Sequence, residues 1–159
     1  SIDNETVIDV GCGTGEFSVF FNRKTYVGID INEHYIRYAL RKHKRIFKVM
    51  DAEVLNFSDN SFDNAIVIGL FHHVPDDHFF KILKEIRRVL KNHGNVLIME
   101  DVKTRSKYNI IGKLVHRLDK GKFIRDPDEY AKIFSKYFNI LKEYPMKSGF
   151  CDYQVFICS

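Results

Sequence analysis

Val7-Ile8-Asp9-Val10-Gly11-Cys12-Gly13-Thr14-Gly15-Glu16-Phe17 is the stretch on which the reading of this 159-residue chain turns. Val7, Ile8 and Val10 make an apolar run that reads as a buried strand, and it stops at three alternating glycines. Phe17, Phe20 and Phe21 then recur at helical spacing, so an amphipathic helix is expected directly after the glycines. Without Cβ atoms such a turn can take positive φ and let a ligand come close to the backbone. The start of a helix adds unpaired N–H groups at the same place.

The glycine spacing separates two kinds of ligand. A dinucleotide-binding turn runs Gly-x-Gly-x-x-Gly, with the pyrophosphate on the helix N-terminus. Here the third glycine, Gly15, comes two residues after Gly13, and Glu16 stands where that pattern has its last glycine. A carboxylate at the helix start repels phosphate. Asp9, two residues before Gly11, suits an ammonium group. A nucleoside without phosphates that carries a cation fits both features, and S-adenosylmethionine is such a molecule. Asp9 through Gly15 resembles the first motif of the class I S-adenosylmethionine-dependent methyltransferases.

Chain order agrees with that resemblance. Residues 26–30, 46–50, 65–70 and 95–99 read as further strands. Asn32 is placed to cap a helix with Ile36, Ala39 and Leu40 on one face. Pro75-Asp76-Asp77 opens another with a stripe of Phe79, Ile82, Leu83, Ile86, Val89 and Leu90, stopped by Asn92-His93-Gly94. Strands alternating with helices specify an α/β fold with a parallel sheet, and ligands sit at the carboxyl ends of its strands. Asp126-Pro127-Asp128-Glu129 is a capping box with proline at the first helical position, and two strands follow, 139–144 and 153–158. The resemblance implies a Rossmann-like three-layer sandwich: a seven-stranded, mostly parallel sheet in the order 3-2-1-4-5-7-6, with strand 7 antiparallel.

It also implies roles. Asp30 ends the second strand, 19 residues after Gly11, where the family binds the two ribose hydroxyls. Ile31 would pack on the adenine, Asp51 would accept from its exocyclic amine, and the Ala52 backbone would meet the ring edge. Asp9, Gly11, Cys12, Gly13 and Gly15 would form the turn around the cofactor, and Gly69 would let backbone approach its methionine part. His72 and His73 fall near the path of the methyl group. A neutral imidazole there can take a proton from an attacking hydroxyl or amine, and a packing role is the alternative. Adjacent histidines without an acid or cysteine cluster do not make a metal site, so no metal is expected. A sulfonium methyl is already activated, and the absence of a catalytic triad is no objection. A non-catalytic S-adenosylmethionine-binding sensor or partner subunit is the alternative function.

Composition sets the outer bounds. The length suits one domain, residues 1–159. No apolar run approaches 18 residues, so no transmembrane helix is expected, and the first residues lack the pattern of a signal peptide. Cys12, Cys151 and Cys158 are widely spaced and read as free thiols, which suggests the cytoplasm. The net charge of +4 is unevenly spread. Residues 103–125 carry eight cations against one acid, Asp119, with Ile110, Ile111, Leu114, Val115 and Leu118 at helical spacing. This basic, lid-like insertion has three readings: a cover over the substrate, a peripheral membrane contact through 107–118, or an ordinary helix with a solvated face. Its charge favours a small anionic or lipid-linked acceptor. Nucleic acid is disfavoured, because the sequence has no Asn-Pro-Pro-Tyr-type motif and no separate binding domain.

Overall fold

The structure is a computed structural model and describes residues 4–103, 123–149 and 151–159. Seven strands form one sheet: β1 (Val7–Val10), β2 (Tyr26–Asp30), β3 (Ile46–Val49), β4 (Phe62–Ile68), β5 (Leu90–Asp101), β6 (Ile140–Ser148) and β7 (Cys151–Cys158). Their order is β3-β2-β1-β4-β5-β7-β6, as expected. The pairs from β3 through β5 are parallel, and β7 runs antiparallel to both β5 and β6.

β1 is buried at all four positions, which is why it can be apolar on both faces, apart from Asp9. Helices α1 (Glu33–Lys42), α2 (Asp76–Val89) and α3 (Pro127–Phe134) complete the layers. Asn32 caps α1: its side-chain oxygen accepts from the backbone N–H of His34 at 3.0 Å and of Tyr35 at 3.4 Å. The capping box of Asp126 and Glu129 starts α3. The larger core lies between the sheet and α2 with α3, where Phe71, Phe79, Tyr130, Phe134 and Phe156 are fully buried. A smaller cluster of Val7, Cys12, Tyr26, Ile36, Ala39, Phe47 and Ile66 packs under α1.

Three local expectations are corrected. No amphipathic α-helix follows the glycines; Glu16–Phe20 is a single 3-10 turn in which only Ser18 is buried. Phe17 and Phe20 are exposed, and Phe21 alone packs inward, stacked on Tyr26 at 5.8 Å. Of the three phenylalanines only Phe21 finds a place in a core cluster, so the stretch buries no continuous apolar face that a longer helix would need. Leu40 does not join the buried face of α1, which is Ile36 and Ala39. The α2 stripe ends at Val89, because Leu90 already pairs with Phe62 as the start of β5. The basic amphipathic stretch 107–118 lies outside the described residues.

Candidate functional site

The topology leaves a crevice where β1 separates β2 from β4, since their connections leave in opposite directions. Two adjoining cavities fill it, about 290 Å³ and about 590 Å³, and both are lined by Gly11, Asp30, Ile31, Leu70 and Val74. Asp30 is therefore at the junction. Its two carboxylate oxygens accept from the N–H of Gly13 at 2.9 Å and of Asn32 at 2.8 Å. One side chain thus fixes both the glycine turn and the entry to α1. A carboxylate oxygen holds more than one acceptor site, so both can also take a ligand hydroxyl.

The smaller cavity is the base-sized end. Ile29, Ile31, Met50, Ala52, Val74 and Ile82 give it apolar walls, with Asp51 and Glu53 at the edge. Asp51 is oriented by the N–H of Glu53, which donates to its Oδ1 at 2.9 Å. The larger cavity carries Asp9, Gly11, Cys12, Gly13, Gly69 and His73. Asp9 is 2% exposed and accepts from the Tyr26 hydroxyl at 2.6 Å. Burial pushes its pKa up to about 7; the Tyr26 hydrogen bond works against that, and the nearby Asp30 charge adds to it. Burial also pushes the Cys12 thiol up. Its sulfur sits against Gly28 and Phe47, so Cys12 contributes backbone to the cleft and side chain to the core.

Two expected residues lie elsewhere. Gly15 has φ +77° but does not line the cleft; a Cβ there would fall 2.6 Å from Cζ of Phe47. Its glycine is required for packing. His72 is buried, and its Nδ1 meets Glu100 Oε2 at 2.9 Å. Glu100, fully buried, also accepts from the N–H groups of Leu70, Phe71 and His72 at 2.9, 2.8 and 3.3 Å. This carboxylate holds the turn that carries Leu70 and His73 into the cleft wall. His72 thus faces Glu100 and does not line the cleft, whereas its neighbour His73 does. The other expected residues come together: Asp9, Gly11, Cys12, Gly13, Asp30, Ile31, Asp51, Ala52 and Gly69. Among the described residues, no group of His, Cys, Asp or Glu could hold a metal ion.

Four contributors carry no motif: Tyr26, Leu70, His78 and Glu100. Tyr26 and Leu70 look like plain strand residues in the sequence, and no signal marks their polar or partitioning role. Only the position of Glu100 at a strand's carboxyl end hints at the site.

Among the described residues, the charged groups that line the cleft are Asp9, Glu16, Asp30, Asp51 and Glu53, with no lysine or arginine. That charge pattern rejects a pyrophosphate and suits a cationic nucleoside. The family comparison agrees. Residues 7–94 match the methyltransferase-domain family model. The chain belongs to this family, the class I S-adenosylmethionine-dependent methyltransferases, whose cofactor is S-adenosylmethionine.

Relatives are moderate in similarity. The uncharacterized protein MJ1252 of Methanocaldococcus jannaschii is 38% identical over 93 residues, 58% of this chain and 35% of that protein. A demethylmenaquinone methyltransferase of Staphylococcus saprophyticus is 27% identical over 167 residues, 93% of this chain and 71% of the relative. The chain thus spans about a third of the first relative's length and under three quarters of the second's. Among solved structures, a SAM-dependent methyltransferase from Methanosarcina mazei superposes with a TM-score of 0.81 at 24% identity, covering 98% of this chain and 92% of the other. At that identity the likeness is one of fold. No described helix is long and apolar enough to cross a membrane.

Proposed function

We propose that this chain holds S-adenosylmethionine across the two cavities and transfers its methyl group to a small anionic or lipid-linked acceptor. The observation that carries the reading is the cleft lined by five carboxylates, with Asp30 at its junction. Asp30 would accept from the ribose hydroxyls, Ile31 would pack on the adenine, Asp51 would accept from its amine, and Asp9 would pair with the ammonium. Gly13 supports this fit: a Cβ there would meet nothing within 4 Å, so the turn keeps open space on the cleft side.

The bound cofactor supplies an activated methyl on a sulfonium. The chain's part is to orient it, to hold the acceptor atom in line with the carbon–sulfur bond, and to exclude water. His73 takes the acceptor's proton where the acceptor must lose one. The proton ends on the imidazole and the methyl on the acceptor.

The acceptor class rests on charge in residues 103–125 and on the resemblance to a demethylmenaquinone methyltransferase. Two of the eight cations are structural. Lys103 pairs with Asp126 at 2.8 Å, and Arg125 is buried against Asp76, the carbonyl of Phe71 and the ring of Phe79. The other six lie outside the described residues. Replacing Lys113 and Arg117 with Glu tests the acceptor class. The Michaelis constant for the acceptor, or binding to anionic vesicles, should suffer while cofactor affinity holds, and the effect should shrink in high salt. A double variant that methylates and binds vesicles as wild type does removes the anionic acceptor from the account.

A further inference from the structure

Glu53 closes the Asp51-Ala52-Glu53 stretch that resembles the family's adenine-edge motif, His78 belongs to no motif, and both line the base-sized cavity. Glu53 belongs to the loop after β3, and His78 to the first turn of α2. They meet: His78 Nδ1 hydrogen-bonds Glu53 Oε1, and Lys81 Nζ holds Glu53 Oε2 at 3.1 Å. The same Glu53 donates its backbone N–H to Asp51 Oδ1. Glu53 therefore faces two ways. Its side chain is tied across the cavity to α2, and its backbone aims the carboxylate that would read the base. The Glu53 side chain is 19% exposed although it sits in a loop, whereas Asp51 and Val54 around it are exposed. The Lys81 and His78 contacts hold its pKa below the usual range, so it is a carboxylate at neutral pH.

We infer that the Glu53–His78 pair is a latch across the base pocket that selects adenine by fixing Asp51 as the acceptor for a 6-amino group. The inference rests on the cofactor assignment above. With the latch closed, Asp51 is rigid and presents an acceptor alone, so a base carrying a 6-oxo group meets an unfavourable oxygen–oxygen contact. With the latch open, the Asp51–Glu53 loop can turn that carboxylate to water, and the penalty relaxes. His78 is a positioning residue here, acting through Glu53, and its ring also closes the pocket toward solvent.

The test compares S-adenosylhomocysteine with S-inosylhomocysteine, which differ only at the base edge, a 6-amino group and bare N1 against a 6-oxo group and N1–H, by calorimetry on wild type, His78→Ala, Glu53→Gln and His78→Phe. Wild type is expected to prefer the adenine compound. His78→Ala and Glu53→Gln should weaken its binding roughly fivefold to tenfold, about the worth of one net hydrogen bond, and bring the two affinities closer together. His78→Phe retains a ring in the wall but no hydrogen bond, so its affinity should stay near wild type while its selectivity narrows. Both positions are partly exposed, and thermal melts establish that each variant is folded. Unchanged selectivity in all three folded variants overturns the inference, whether affinity is kept or is lost equally for both compounds. Failure of wild type to bind either compound is a separate result, which brings down the cofactor assignment and the latch with it.

Discussion

Gly13 and Gly15 stand two residues apart in one turn, and alanine at each should fail in a different way. Gly15 has φ +77°, and its Cβ would lie 2.6 and 2.7 Å from two ring carbons of Phe47 and 3.2 Å from Ala39. Phe47 cannot withdraw, because it is 6% exposed and wedged beside Tyr26 and His43. Left-handed backbone costs an alanine about 1–2 kcal/mol, and forcing a methyl into a packed core about 1–3 kcal/mol. Gly15→Ala should therefore lose roughly 2–5 kcal/mol, a fall of roughly 5–15 °C in Tm for a chain of this size. Gly13 has φ +53° and open space around its Cβ. Gly13→Ala should lose only the backbone part, about 1–2 kcal/mol, while its methyl intrudes where the ligand lies. S-adenosylhomocysteine affinity should then fall at least about tenfold, equivalent to about 1.4 kcal/mol of intrusion. Thermal melts and calorimetry on the two variants read both quantities. A Gly15→Ala protein as stable as wild type, or a Gly13→Ala protein that binds as tightly, refutes the division of the turn into a packing glycine and a ligand glycine.

Other consequences are as direct. Asp9 has its folded pKa raised to about 7 from 3.8, so the folded chain holds an extra proton between those values. Stability should fall as pH rises from about 4 to about 7, by at most about 1.4 kcal/mol per unit from this group, and level off above. A ligand ammonium favours the carboxylate, so cofactor affinity should rise over the same range and flatten above it; Asp9→Asn should abolish both trends in a pH series of melts and titrations. Asp30→Ala removes the anchors of Gly13 and Asn32 as well as two ribose partners, and cofactor affinity should drop roughly tenfold to several hundredfold at about 1.5–3 kcal/mol per charge-assisted bond, as calorimetry will read. His72→Ala strips the buried Glu100 of its side-chain donor and should cost about 1–3 kcal/mol in denaturant melts. His73→Ala should lose turnover while its melting temperature falls less than that of His72→Ala; the reverse pattern would assign the chemistry to His72.

Much of this was legible because it is local. The glycine turn, Asp30 at the end of β2 and the Asp51-Ala52 pair after β3 are each read from a few consecutive residues, and strand order follows from β/α alternation together with the family resemblance. What was not legible depends on contacts between distant residues. Tyr26 reaches Asp9 across 17 positions, and Glu100 reaches the Leu70–His72 turn across 28 to 30. His72 and His73 are adjacent, and nothing in their order says which one turns inward; the buried Glu100 decides it. The helical spacing of Phe17, Phe20 and Phe21 misled for a different reason. Periodicity carries no information about whether the face it marks finds a core to pack against.

An acidic, phosphate-rejecting cleft should bind a cationic nucleoside and refuse a dinucleotide. The most direct test is calorimetric titration of the wild-type protein at neutral pH with S-adenosylmethionine, S-adenosylhomocysteine and NAD in parallel. Saturable micromolar binding of the first two at one site per chain is expected, with no heat from NAD; micromolar binding of NAD, with neither nucleoside bound, would overturn the assignment of the cleft.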